Sequence, residues 1–190
     1  MKPIYLEMNY FGPHENSVVD FRLLDESPIF LISGDTGAGK STIFDAMTYA
    51  LFGTTTGDRD AKEMRSQFAT ADDRTSVTFY FEQGNLLYRI ERSPEQKLSK
   101  KRGSGSTLQK STAKLAIVDR VKGIEKNNIA INPKNVGEEI TRLLHLNAEQ
   151  FKKIILLPQN DFSRFLKSST PDKEAILKRI FGTYIFTSFS

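Results

Sequence analysis

The sequence predicts an α/β fold in which a mixed sheet carries one helix against it and antiparallel strands form a β-subdomain. Three stretches lead to that reading. Ile29-Phe30-Leu31-Ile32 is a continuous apolar run between Pro28 and Ser33, the pattern of a strand buried on both faces. From Lys40 onward Ile43, Phe44, Met47, Ala50 and Leu51 recur at helical spacing until Gly53, so an amphipathic helix follows the strand. Val77, Phe79 and Phe81 alternate with polar neighbours, and Leu86 to Ile90 answers them across Gln83-Gly84-Asn85, which is the signature of a β-hairpin.

The remaining elements follow in chain order. Ile4 to Met8 and Val18 to Phe21 read as short edge strands separated by a Gly12-Pro13 turn. Ala113 to Val118 reads as a third strand of the hairpin system, reached through a Gly/Ser tract at about residues 99–107 with the composition of a flexible loop. After Pro133 the chain turns helical on the stripe Val136, Ile140, Leu143 and Leu144. Phe151 and Ile154 to Leu157 then lead into Pro158-Gln159. Thr170-Pro171-Asp172 combines an N-cap residue, a proline at the first helical position and an acid in the first turn, and predicts a helix through Ile176 and Ile180. No internal repeat is visible.

The chain has 190 residues, enough to bury a core without covalent staples, and a single globular unit is expected. It contains no cysteine and only His14 and His145 as histidines, which excludes a disulfide framework and thiolate or histidine-rich metal clusters. Neither a leader pattern nor an apolar segment near the ~20 residues of a membrane span is present, so a soluble, cytoplasmic protein with no membrane partner is expected. The net charge of +4 is mildly basic. Its distribution is uneven: between Gln96 and Val118 there is no acid, whereas Lys97, Lys100, Lys101, Arg102, Lys110 and Lys114 all fall there. A solvated hairpin tip and a polyanion-binding surface both fit that run.

Gly34-Asp35-Thr36-Gly37-Ala38-Gly39-Lys40-Ser41 satisfies G-x-x-x-x-G-K-[ST] at every fixed position. Glycines let successive backbone N–H groups turn inward toward phosphate oxygens, and the following helix presents its positive end to the same charge. Lys40 is expected to bridge the terminal phosphates of ATP, Ser41 to offer its hydroxyl to Mg²⁺, and Thr42 to reach the α-phosphate. Hydrolysis also requires a carboxylate behind the metal. The one apolar run ending in an acid is Leu115-Ala116-Ile117-Val118-Asp119, but Arg120 follows where a second acid belongs. Asp119 therefore stands as the metal-side acid of an alternative reading, a self-contained small P-loop NTPase or kinase. A surface acid at a strand end is the plainer account, and a third reading treats the chain as a nucleotide-binding module only. Arg59 and Arg65, just beyond the helix, are candidates for adenine contact or ordinary solvent-facing arginines.

Phe11-Gly12-Pro13, Gly34 through Ser41-Thr42-Ile43-Phe44-Asp45-Ala46, Ser93-Pro94-Glu95-Gln96 with Lys100-Lys101-Arg102-Gly103, the segment around Gln159, and Arg179-Ile180-Phe181-Gly182-Thr183 together resemble one family. It is the SbcC family of bacterial SMC-like DNA-repair ATPases, and the resemblance is to its N-terminal ATPase segment over about residues 3–183. The resemblance implies the N-terminal lobe of an ABC-type ATPase head built from both ends of a long chain with a coiled coil between them. It implies that the chain's own C-terminal lobe carries the signature motif, Walker B acid and switch histidine. Two heads, as an ATP-dependent homodimer, would then share two ATP molecules and drive an SbcD-like nuclease on double-stranded DNA ends and hairpins. By position Gln159 becomes the Q-loop glutamine, a contact for Mg²⁺ and the attacking water. Asn160-Asp161 departs from the Gly-Glu of the family pattern. Residues 1–183 are thus expected to form one lobe with the basic loop at about 96–111 inside it, and residues 184–190 an atypical, uncharged tail.

Overall fold

The computed structural model describes residues 1–25, 30–57, 60–100, 104–120 and 122–155. The chain divides into two compact units, Met1–His145 and Leu146–Ser190.

The first unit is built on a six-stranded sheet. Its strands are β1 (Lys2–Phe11), β2 (His14–Asp20), β3 (Ser76–Gln83), β4 (Leu86–Ser93), β7 (Thr112–Val118) and β8 (Glu125–Ile131), in the spatial order β2-β1-β3-β4-β7-β8. A separate two-stranded ribbon pairs β5 (Gln96–Ser99) with β6 (Ser106–Gln109). Two helices, α1 (Thr42–Phe52) and α2 (Pro133–Leu144), pack on one face of the large sheet. The period-2 alternation explains which face that is. Leu6, Met8, Val77, Phe79, Phe81, Ile90 and Leu115 are fully buried toward the helices. Phe81 stacks on Phe79 and Tyr88 at centroid distances of 5.7 and 5.3 Å, while Phe11 stacks on Tyr49 of α1 at 5.5 Å. The opposite face is polar and pairs within itself. Arg89 sits over the Tyr80 ring and bonds Glu91 and Glu125 at 2.8 and 2.6 Å, and Lys114 also reaches Glu125.

Both helices end as their sequences dictate. α1 stops at Gly53, which adopts φ +76° and returns its N–H to the Tyr49 carbonyl. Asn132 caps α2 by accepting from Asn135 N at 3.0 Å, Pro133 occupies the first turn, and Val136 and Ile140 are buried.

Four expectations are corrected. Every strand pairing among the described residues is antiparallel, so the sheet they form is not mixed. β1 is no edge strand, because β2 and β3 flank it. The run Phe30-Leu31-Ile32 forms no strand and is not buried: Leu31 is 88% exposed and Phe30 49%. A strand of that pattern needs hydrogen-bonding neighbours, and no described segment pairs with it. Finally, the Gly/Ser tract is bounded by the β5–β6 ribbon rather than being loop throughout. In the second unit, α3 (Ala148–Ile155) begins with a reciprocal cap in which Asn147 and Gln150 exchange side-chain to backbone hydrogen bonds of 2.9 and 3.0 Å. Gln159, the helix expected after Thr170 and the tail lie outside the described residues.

Candidate functional site: the glycine-rich loop

The loop from Gly34 to Ser41 turns because its glycines take conformations that side chains resist. Gly37 has φ +87° and Gly39 φ +82°. Ala38 N donates to Asp35 O at 3.2 Å, closing one turn, and Thr42 N to Gly39 O at 3.0 Å opens the first turn of α1. The backbone N–H groups of Gly37, Gly39 and Lys40 donate to no group among the described residues. They lie at the N-terminus of an 11-residue helix, where the helix dipole favours an anion. Lys40 folds back over the loop, its Nζ donating to Gly34 O and Asp35 O at 2.7 Å each. An ammonium carries three donors, so one remains for a phosphate oxygen. Ser41 is exposed and its side chain makes no capping hydrogen bond, so the hydroxyl is open to a ligand.

A turn the sequence marked only as a chain reversal forms the wall behind this loop. Gly12, at φ +58° between β1 and β2, lies over Thr42, whose Cγ2 would sit 2.7 Å from a Cβ added there. Thr42 is 7% exposed as a result, with its methyl held in that packing. A Cβ on Gly39 would meet both His14 Nε2 and Pro13 Cγ at 2.6 Å. His14 Nε2 lies 3.2 Å from Gly39 O, and its Nδ1 lies 2.9 Å from Ser17 Oγ on β2. On the far side of α1, Asp45 accepts from Thr56 N at 2.9 Å and from the Thr56 hydroxyl, tying the chain after the helix back to its first turn.

The other candidates fall elsewhere. Asp119 is a turn residue: its carboxylate accepts from Lys122 N at 3.0 Å and pairs with Lys126 at 3.4 Å. The register Met8–Val77–Arg92–Ala113 marks the sheet end that leads to the β1–β2 turn, and Glu82–Leu87–Val118 marks the other end. Five residues of strand, about 17 Å, separate Ala113 from Val118. Asp119 therefore sits at the sheet end away from the loop and cannot serve as its metal-side acid. Arg65 does not face solvent as a free cation. Its guanidinium donates to Thr70 O, Asp73 O, Thr75 Oγ1 and Gln96 Oε1 at 2.6 to 3.0 Å, holding residues 66–75 in place. Arg59, Lys101 and Arg102 lie outside the described residues, whereas Lys97, Lys100 and Lys110 are exposed on or beside the β5–β6 ribbon.

Sequence reading missed Arg92. It is 3% exposed, and its guanidinium donates to the Ala50 and Leu51 carbonyls at 2.6 and 3.1 Å, capping the C-terminus of α1. Burial lowers its pKa to about 10, and burial raises that of the neighbouring Tyr49. A cavity of about 410 Å³ borders Arg92, Tyr49, Gly53, Lys62, Glu95 and Thr112. It lies at the end of α1 remote from the glycine-rich loop, about 16 Å along the helix.

The free N–H groups, the remaining ammonium donor and the open Ser41 hydroxyl fit a nucleotide's phosphates with a bound Mg²⁺, the donors on the anion and the hydroxyl on the metal. A family model described as AAA domain matches residues 5–185. The chain belongs to the AAA-domain family. It is also similar to proteins named as the SbcC component of the nuclease SbcCD. The relative from Vibrio cholerae is 37% identical over 189 residues, which is 98% of this chain and 18% of the relative. The one from Staphylococcus aureus strain MRSA252 is 41% identical over the same shares. The AAA-domain chain thus spans 18% of the length of the curated relatives it matches, and the resemblance to SbcC extends along almost all of it. That family assignment places a nucleotide-using P-loop domain on a fold whose described sheet is antiparallel.

Proposed function

We propose that this chain is the ATP-binding lobe of an SbcC-type, ABC-like ATPase. The observation that carries the proposal is the loop itself, with N–H groups before α1 that donate to no described residue and Lys40 poised across it. Gly34 to Gly39 would cradle the phosphates with the Gly37 and Gly39 N–H groups as donors, Lys40 would neutralise the terminal ones, and Ser41 and Gln159 would hold Mg²⁺, which would supply charge stabilisation at the transferred group. Hydrolysis then awaits acids from the protein's own C-terminal lobe and a signature motif from a second copy. The exposed Phe30 and Leu31 support a need for such a covering lobe. The intact assembly drives an SbcD-like nuclease on double-stranded DNA, with the exposed lysines of the β5–β6 ribbon neutralising backbone phosphates without reading sequence.

Titration of the chain with a fluorescent ADP analogue and Mg²⁺ tests the core of this reading. Saturable binding lost in Lys40→Ala supports it, and binding indifferent to Lys40 refutes it. The isolated chain should hydrolyse ATP negligibly; turnover that rivals a head supplied with its C-terminal lobe would sink the shared-site reading. In the complete head, replacing Lys100, Lys101 and Arg102 by alanine should weaken duplex binding and lower its salt dependence, about one unit of slope for each phosphate no longer neutralised.

A further inference from the structure

We propose that His14 is a positioning residue for the phosphate-binding loop, acting on the Gly39–Lys40 peptide; the inference rests on the ATP-binding reading of that loop. A carbonyl only accepts, so the proton shared with Gly39 O at 3.2 Å belongs to His14 Nε2. In the tautomer that carries its proton on Nε2, Nδ1 accepts the Ser17 hydroxyl, 2.9 Å away. Ser17 is anchored in β2 through its pairing with Met8 of β1, so the ring's orientation is fixed by the sheet and not by the loop.

The consequence for the loop follows from peptide planarity. In a trans peptide the C=O and N–H point in opposite directions. Gly39 O accepts from His14 on one side and from Thr42 N at 3.0 Å along the helix. With that oxygen held, the Lys40 N–H of the same peptide is aimed away from α1, out of its N-terminus, where the phosphate donors converge. The fit is close enough to transmit position: Pro13 Cγ and His14 Nε2 leave no room for even a Cβ on Gly39. The β1–β2 hairpin is therefore a backstop whose one hydrogen bond to the loop among the described residues passes through the imidazole.

The test uses the whole chain and Mg-ADP. His14→Phe keeps the ring's bulk without its donor, and the loss of a single hydrogen bond is expected to weaken Mg-ADP binding about fivefold. His14→Gln, whose amide N–H can reach the same carbonyl, should stay within about twofold of wild type. Nucleotide-induced ¹H–¹⁵N shift of the Lys40 amide should fall in His14→Phe and return in His14→Gln, a signature that mere packing does not produce. Ser17→Ala, which leaves the ring free to turn, should cost about twofold. Equal affinity of His14→Phe and wild type overturns the proposal, as does His14→Gln binding as weakly as His14→Phe. Should His14→Phe not fold, an unchanged Ser17→Ala overturns it. Failure of the wild-type chain to bind Mg-ADP is a different result, which removes the ATP-binding reading and this inference with it.

Discussion

Gly37 and Gly39 form an internal comparison within one loop. Both have positive φ, +87° and +82°, so an alanine at either position carries the same dihedral cost, about 1–2 kcal/mol. Only Gly39 is walled in. A Cβ at Gly37 meets nothing within 4 Å, whereas one at Gly39 would lie 2.6 Å from both Pro13 Cγ and His14 Nε2. The imidazole is the end of a side chain and can swing away, but doing so breaks its bond to Gly39 O. The proline ring is fused to the backbone and cannot yield alone. Overpacking of that kind adds about 1–3 kcal/mol. Gly39→Ala should therefore be less stable than Gly37→Ala by roughly that amount. For a chain of this size each kcal/mol lowers Tm by about 2–4 °C, so the two melts should separate by roughly 2–12 °C. Thermal unfolding followed by circular dichroism measures the separation. A Gly39→Ala melt coincident with that of Gly37→Ala would show that the β1–β2 turn does not press on the loop.

Removing the guanidinium in Arg92→Met leaves the Ala50 and Leu51 carbonyls without their donor and should cost about 1–3 kcal/mol for each in urea unfolding, far more than Lys97→Met on the ribbon. Thr48 is fully buried and its hydroxyl has no hydrogen-bond partner among the described residues, so Thr48→Val should be neutral or stabilising by up to about 1 kcal/mol in the same assay. Glu125 has a pKa below the usual 4.5, chiefly through its hydrogen bond from Lys114 and then that from Arg89. A depressed carboxylate contributes stability above its unfolded pKa and loses it as pH falls through the folded value. Glu125→Gln should accordingly lose stability at pH ~6 and show a shallower fall toward pH ~3 than wild type. Asp119→Asn should leave Mg-ADP affinity unchanged and loosen only the β7–β8 turn; a large affinity loss would contradict the distance between that turn and the loop.

What was legible in the sequence is what depends on local pattern. The α1 stripe ending at Gly53, the β3–β4 hairpin with Gly84-Asn85 at its tip, β7 and the helical stripe of α2 after Pro133 all appear where periodicity and turn chemistry put them, whereas the Asn132 cap of α2 was not read. β8 escaped because Glu125-Lys126-Asn127-Asn128 is polar throughout and buries only Ala130 strongly. β1 read as an edge because nothing local to Ile4-Tyr5-Leu6 announces that residues 76–82, some seventy positions on, will pair with it. The loop's residues were fully legible, but their supports were not. His14 meets Gly39, 25 residues on, and Arg92 bonds Leu51 and Ala50, 41 and 42 residues back in sequence, and no spacing rule encodes such contacts. Arg65, conversely, looked like a surface cation because its four acceptors come from a loop and from Gln96.

The apolar run ahead of the loop links fold and function most directly. Phe30 and Leu31 stand exposed immediately before Ser33-Gly34, and Lys40 bonds the Gly34 and Asp35 carbonyls that this run leads into. Under the proposed reading, a lobe that covers the run also fixes the segment that enters the loop. Ordering it in advance removes conformational entropy that nucleotide binding would otherwise have to overcome, on the order of 1 kcal/mol per residue fixed. Under that reading, covering the run and binding ATP would be thermodynamically coupled, and the coupling reciprocal. Under the proposed reading a covering lobe raises nucleotide affinity by the same factor as nucleotide raises the lobe's affinity. Leu31→Asp weakens both without touching a phosphate ligand, and a Leu31→Asp head that binds its C-terminal lobe and Mg-ADP as tightly as wild type would separate the two events.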